Sequence, residues 1–345
     1  MFGGQDALAD PVRVALIGVG RIGTSHATLL ARRVPGAELV KVVDPRPGVA
    51  GELAATLGCA AGTDPEEVWA DPSIEAVVIS ASSTAHADLI EQAAGAGKAV
   101  FSEKPAGMTI AEIDRGIDAT RAAGVPFQVG FNRRFSSDFA AGRELVANGS
   151  IGTPQLMRSV TRDPGLANPG AVPPWTIFTQ TLIHDFDSLL WLNPGAEPVT
   201  VHATADALVA PDFKESGLLD TAVVVITFDN GAIAVAEASF SAVYGYDIRG
   251  EVFGSAGMVT MGEHATSSLR HYAADGRHVD TVRSDTDLFA DAYTAELVEF
   301  ADAVREKREP CVTGHDARRA FVLAQACIDS MTLGRTVQVS EVDAR

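Results

Sequence analysis

Two sets of residues in this 345-residue chain have types and spacings that could do chemistry. The first is Gly18-Val19-Gly20-Arg21-Ile22-Gly23, with Asp44 following 21 residues after Gly23. In a GxGxxG loop the first glycine permits a tight turn and the second lets the backbone approach a pyrophosphate. The third lets a helix pack closely on its strand, and free N–H groups at the helix start meet the phosphate charge. Asp44 has the spacing of the acid that accepts ribose hydroxyls, and a carboxylate there repels a 2′-phosphate. The loop therefore reads as a dinucleotide clamp that favours NAD. Arg46 leaves NADP as the lesser alternative, because an arginine in that turn can receive the extra phosphate. The second set is His184, with Gln180 one helical turn before it, and Lys104 within Glu103-Lys104-Pro105. Oxidising a secondary alcohol with NAD requires the hydroxyl proton to leave as hydride leaves carbon, so a base of near-neutral pKa must reach the oxygen. His184 is the candidate base, and the Lys104 ammonium could hold the reacting oxygen and stabilise alkoxide charge. On spacing alone His184 reads equally well as a satisfied core histidine.

The elements that must position these residues follow from hydrophobic pattern. Val12 to Ile17 is an apolar, β-branched run before the glycine loop, and His26 to Arg33 has helical composition after it. Strand Glu38 to Val43 ends at Asp44, and a helix is expected over Pro47 to Leu57. Asp64 to Trp69 has an N-cap, a proline and first-turn acids, hence a short helix. Strand Ala76 to Ser80 delivers Ala81 to His86 to the carboxyl edge of a sheet, where ligands of doubly wound folds bind. Helix His86 to Ala96, strand Ala99 to Ser102, helix Ile110 to Ala123 and strand Pro126 to Gly130 complete the alternation, which predicts a parallel doubly wound sheet over residues 11–131. The candidate cofactor-binding residues are Gly18, Gly20, Arg21, Ile22, Gly23, Asp44, Arg46, Ser80, Ser82, His86, Glu103 and Lys104.

Residues 132–345 have a different grammar. A helix over Asp138 to Ala147 precedes strands at Gln155 to Val160, Val199 to Ala205, Thr221 to Phe228, Ala232 to Phe240, Asp247 to Phe253 and Met258 to Met261. Asp229-Asn230-Gly231 is a hairpin signal. A helical segment Gln180 to Trp191 carries His184, and helices Thr294 to Lys307 and Asp316 to Thr332 could pack on either domain. The second domain is thus predicted as α+β with a large, mostly antiparallel open sheet. Both parities of Thr221 to Phe240 are apolar, more than one covered face needs, which predicts a homo-oligomer.

Composition narrows the function classes. A net charge of −18 argues against nucleic acid or an anionic membrane surface as partner. Cys59, Cys311 and Cys327 are too scattered for a disulfide framework or zinc site, which fits a reducing cytoplasm. Met1 to Asp10 lacks a signal-peptide pattern, and no apolar stretch approaches the roughly 18 residues of a membrane span. Asp185 and Asp187 flank His184 but point to other faces of the helix, so no metal is expected.

The chain resembles the Gfo/Idh/MocA family of sugar and polyol oxidoreductases. The resemblance rests on the glycine loop with Asp44, Glu103-Lys104-Pro105, Gly130 to Phe135, Ile183-His184-Asp185-Phe186-Asp187, and Pro310 to Ala317 before the last helix. Thr181-Leu182-Ile183-His184 and Tyr244-Gly245-Tyr246-Asp247 are most similar to the family's inositol dehydrogenases. The resemblance implies catalytic roles for Lys104, His184 and the residue at 180, NAD as cofactor, a small polyol or sugar as substrate, and a tetramer. It implies substrate contacts from Lys104, Arg133, Asp163, Gln180, Thr181, His184 and Tyr246; for Arg133 a structural salt bridge is an equal reading. One position departs from the family, which usually carries aspartate where Gln180 stands. Glutamine bonds a hydroxyl without bringing charge, so a proton on His184 is less stabilised. This leaves another inositol or sugar, or a catalytically weak NAD-binding protein, as alternatives to a myo-inositol dehydrogenase.

Overall fold

The computed structural model describes residues 10–166, 168–262, 265 and 269–344, so most of the N-terminal stretch Met1 to Asp10 lies outside the described residues. The chain divides into two compact units: residues 1–132 with 291–317, and residues 133–290 with 318–345.

The first unit alternates strand and helix as the pattern predicts: β1 Val12–Ile17, α1 Arg21–Arg32, β2 Ala37–Val43, α2 Val49–Leu57, β3 Ala60–Gly62 and α3 Glu66–Trp69. It continues with β4 Ala76–Ile79, α4 His86–Gly95, β5 Ala99–Ser102, α5 Ile110–Ala123 and β6 Phe127–Val129. All six strands pair in parallel in the order β3-β2-β1-β4-β5-β6. The order reverses between β1 and β4, which opens a crevice at their carboxyl ends. Central strands are covered on both faces, as continuous apolar runs require: Val14, Ala15, Leu16 and Val77 to Ile79 are fully buried. Helix α2 begins at Val49 rather than at Pro47, because Gly48 takes φ +81°, outside helical space. The short edge strand β3 was not expected; Ala60-Ala61-Gly62 carries no β-branched or alternating signal.

The second unit holds α6 Ser137–Ala147, β7 Pro154–Arg162, α7 Ile183–Trp191, β8 Pro198–Asp206, β9 Thr221–Phe228, β10 Ile233–Ser239, β11 Asp247–Gly254 and β12 Gly257–Met261. After a small hairpin of β13 His271–Ala273 and β14 Gly276–His278 come α8 Asp285–Leu288, α9 Ala290–Glu306, α10 Gly314–Leu333, β15 Val337–Gln338 and α11 Val339–Asp343. The sequence leaves the placement of the last long helices open. In the structure α9 belongs to the first unit, where Phe300 stands edge-on to Phe101, and α10 from Arg318 onward belongs to the second.

The seven-stranded sheet runs β12-β11-β7-β10-β9-β8-β15, antiparallel throughout except for β7 with β10. Helix α7 packs against β7 and β10. Its apolar side, Phe186, Leu189 and Leu190, is buried together with Phe178 and Leu182. The other sheet face remains open: Phe253 pairs with Leu156 and Met258, and Ile233 pairs with Leu156, placing four exposed apolar side chains in one row. Val223 and Val225 extend the exposed set on β9, while Val224 and Ile226 fill the core. Among the described residues, no helix is long and apolar enough to cross a membrane.

Candidate active site

In the first unit the predicted clamp forms at the carboxyl ends of β1, β2, β4 and β5. Gly18 takes φ +97°, and a Cβ there would lie 2.5 Å from the backbone nitrogen of Ala81. At Gly23 a Cβ would lie 1.9 Å from the Gly18 carbonyl oxygen, so both glycines are demanded by the chain itself. Gly20 differs, since a Cβ there would meet nothing within 4 Å, and the space it leaves open faces no protein atom. Helix α1 starts there with no side-chain cap and no acid in its first turn, so Arg21, Ile22 and Gly23 begin a helix end suited to an anion.

Asp44 closes the loop. Its carboxylate accepts from the Val19 N–H at 2.8 Å and from three Arg46 groups: backbone N–H at 3.0 Å, Nε at 2.8 Å and Nη2 at 2.8 Å. The bond to the Arg46 side chain is the main reason its pKa falls to about 2, against the opposing effect of burial. Arg46 also donates to the Val19 carbonyl, so its guanidinium is drawn onto the loop rather than held apart for a 2′-phosphate. Four donors fill the lone-pair positions of Asp44, so ribose hydroxyls reach it only if the exposed Arg46 fork opens.

Ser80 and Ser82 lie at this edge, half-buried and exposed. His86 and Glu103 are both buried and engaged by protein partners. The His86 ring is buried, with Nδ1 2.8 Å from the Pro105 carbonyl and Nε2 3.1 Å from the Ala81 carbonyl, so it braces the segment after β4 against the turn after β5. Burial pushes its pKa down. The Glu103 carboxylate lies 2.7 Å from His26 Nε2 and accepts the Lys104 N–H at 3.2 Å. Lys104 itself is half-buried and precedes Pro105 through a cis peptide bond.

In the second unit His184 is the one residue of 183–190 that is not buried. Its helix is pinned on both flanks. Asp185, fully buried, accepts from Arg133 Nη1 at 2.8 Å, Ser159 Oγ at 2.5 Å and Thr161 Oγ1 at 2.6 Å. Asp187 takes both prongs of Arg134, at 2.9 and 2.5 Å, and the Arg134 guanidinium lies over the Trp191 ring. Arg133 is buried and its guanidinium is committed to Asp185 and Thr161, the structural salt bridge that the sequence offered as an equal reading. These ion pairs commit Asp185 to Arg133 and Asp187 to Arg134.

Gln180 and Thr181 lie not in the α-helix but in a π-helical turn, Ile177–Thr181, that leads into α7. Such turns re-aim side chains, and Gln180 emerges half-exposed while Thr181 is buried. Asp163 and Tyr246, both half-buried, flank the last pair of the β7/β11 ladder, Arg162 opposite Asp247. Asp247 is held by Arg249 at 2.6 Å and by Tyr244 at 2.7 Å. The structure thus places Gly18 to Gly23, Asp44, Ser80, Ser82 and Lys104 on one edge of the first unit. Gln180 and His184, and separately Asp163 and Tyr246, are neighbours within the second.

The sequence reading passed over His26 and Glu296, which with Glu103 form a buried cluster. The available signal was Glu296, an acid on the apolar stripe of α9 between Tyr293 and Phe300.

Residues 12–131 match the NAD-binding Rossmann-fold domain of an oxidoreductase family, and residues 143–339 match its C-terminal alpha/beta domain. The chain is 36% identical to myo-inositol 2-dehydrogenase of Thermotoga maritima, covering 96% of this chain and 99% of the relative. It is 37% identical to the NAD(+) scyllo-inositol 2-dehydrogenase of Bacillus subtilis, over 95% and 96%. Among solved structures, scyllo-inositol dehydrogenase from Lactobacillus casei with bound NAD(H) and scyllo-inositol superposes with a TM-score of 0.91 at 26% identity, over 96% and 100%. With both halves of the chain matched and the glycine clamp in place, the protein belongs to the Gfo/Idh/MocA family of NAD-dependent oxidoreductases acting on CH–OH groups.

Proposed function

We propose that the protein oxidises a secondary hydroxyl of a cyclic polyol, converting myo-inositol to 2-keto-myo-inositol. The observation that carries this reading is His184, half-buried on a helix in which every other residue from 183 to 190 is buried and whose two acids are locked in buried ion pairs. The glycine loop fits NAD, since Gly20 keeps clear the space a side chain would fill and the helix behind it has no cap of its own. NAD, when bound, supplies the hydride acceptor. His184 takes the hydroxyl proton during oxidation and returns it during reduction. Lys104 donates to the same oxygen and stabilises its developing charge. Gln180, Thr181, Asp163 and Tyr246 supply partners for the remaining hydroxyls, each of which would cost binding if left unmatched. Because Gln180 is neutral, His184 works as a base of lower pKa than it would beside an aspartate.

A relative that acts on scyllo-inositol at nearly the same identity supports that epimer as the second reading. NADH absorbance with a panel of inositols and aldoses separates the two. Turnover of none of them would leave an NAD-binding protein of weak activity, the reading that Gln180 makes available. We further propose a cytoplasmic homotetramer built on the open sheet face, where Leu156, Val223, Val225, Ile233, Phe253 and Met258 are exposed. A monomeric mass by light scattering would overturn the assembly.

A further inference from the structure

Glu296 lies on the stripe that α9 turns into the first unit's core, beside Tyr293, Leu297 and Phe300. It is fully buried, and neither carboxyl oxygen has a hydrogen-bond partner among the described residues. One of its oxygens, one of Glu103 and a ring nitrogen of His26 all lie within 4.8 Å of one another. Phe101 and Tyr293 stand edge-on to the His26 ring, so the surroundings are apolar. Gln128, also buried, donates to the Glu296 backbone carbonyl at 2.8 Å, and its own side-chain oxygen has no partner among the described residues.

Two carboxylates this close in a poorly polarisable interior cannot both ionise unless a proton balances them. A neutral glutamine would fill the position without the cost of a second charge, so the carboxyl at 296 lowers the stability of the fold relative to it. We infer that Glu296 is a further positioning residue: His26, Glu103 and Glu296 share one proton and carry a single negative charge, borne by the carboxylate that holds the backbone of Lys104. The inference rests on Lys104 acting as proposed above. Burial, then the neighbouring charge of Glu103, push Glu296 well above the ordinary carboxylate range. Burial opposes ionisation of Glu103 too, but the bond to His26 and the charge of Lys104 favour it, and Glu103 is held below its ordinary value. The groups facing the pair are His26 from α1, Lys104 after β5, His86 from α4, Tyr293 from the same helix and neutral Gln128 from β6. One fixed negative charge beside Lys104 keeps the ammonium protonated, which is the form that polarises the reacting oxygen.

Infrared spectroscopy of the full-length protein reads the shared proton without reference to turnover. The expected result is a protonated-carboxyl C=O band at neutral pH that shifts with isotope-labelled glutamate and is absent from E296Q. In the pH dependence of kcat, the step that belongs to the cluster disappears in E296Q. E103Q, which removes the charge, lowers kcat about tenfold or more with NAD affinity nearly unchanged, and E103D recovers part of the loss. Absence of the band, its persistence in E296Q, or a stoichiometric metal ion that E296Q releases would overturn the inference. Labelling of the unmutated protein decides the question even if E296Q does not fold. The band stands or falls independently of which polyol is oxidised, so failure of the substrate reading is distinguishable from failure of this one.

Discussion

The edge of the first unit and the helix of His184 solve the same problem, holding a segment rigid, by opposite means. The cofactor edge is built from local rules: Gly18 and Gly23 touch within one turn, and Asp44 is gripped by Arg46 two residues away. The His184 helix is built from distant pairs: Arg133 reaches Asp185 across 52 positions, and Arg134 reaches Asp187 across 53. Local devices tolerate loss of one side chain because the backbone still makes the turn. A buried charge pair does not, because removing one partner strands the other away from water.

The largest expected effect is therefore on the second region. Arg133→Met should cost about 3–5 kcal/mol of stability by leaving Asp185 buried and charged, whereas replacing both partners with apolar residues should recover much of it. Urea unfolding of the single and double variants checks this, and equal losses in both would break the contrast.

Next come His184→Ala and Lys104→Ala. Each should lower kcat by roughly two orders of magnitude or more with NAD affinity nearly intact, the scale of a lost acid–base or charge-stabilising group. An unchanged rate in stopped-flow turnover would remove that residue from the chemistry.

Within the cofactor edge the glycines give a sharper split. Gly23→Ala should fail to close the loop, since its Cβ meets the Gly18 carbonyl, while Gly20→Ala should fold normally and lose NAD affinity by about tenfold or more. Thermal melts with and without NAD separate the two outcomes, and normal NAD binding by Gly20→Ala would remove the pyrophosphate from that space.

Asp44 carries a smaller, pH-dependent effect. Its folded pKa of about 2 lies below the ordinary 3.8, so its stabilisation is present above pH 3.8 and is lost as pH falls toward 2. The contribution is on the order of 1–2 kcal/mol, discounted for the exposed Arg46 partner. Asp44→Ala should flatten stability over that window and narrow the preference for NAD over NADP. Tighter NADP binding by the unmodified protein would contradict the role of Asp44.

The smallest effect is Gln180→Asp, which should raise the apparent pKa in the pH–rate profile because a carboxylate favours imidazolium. A profile that does not move would place residue 180 out of electrostatic reach of His184.

Periodicity and spacing determined much of this protein. The strand and helix alternation of the first unit, the glycine turn, Asp44 at its strand end and the hairpin at Asp229-Asn230-Gly231 are all legible in residue type and spacing along the chain. The resemblance supplied the roles of Lys104 and His184, which spacing alone left open. Tertiary structure decided the rest. It turned His86 into a brace and Arg133 into the partner of Asp185, moved Gln180 from an α-helix into a π-turn, and assigned α9 to the first unit. It also set Glu296 against Glu103, 193 positions away. Whether a polar side chain meets solvent, substrate or another buried charge depends on which distant segment packs against it, and no local pattern encodes that.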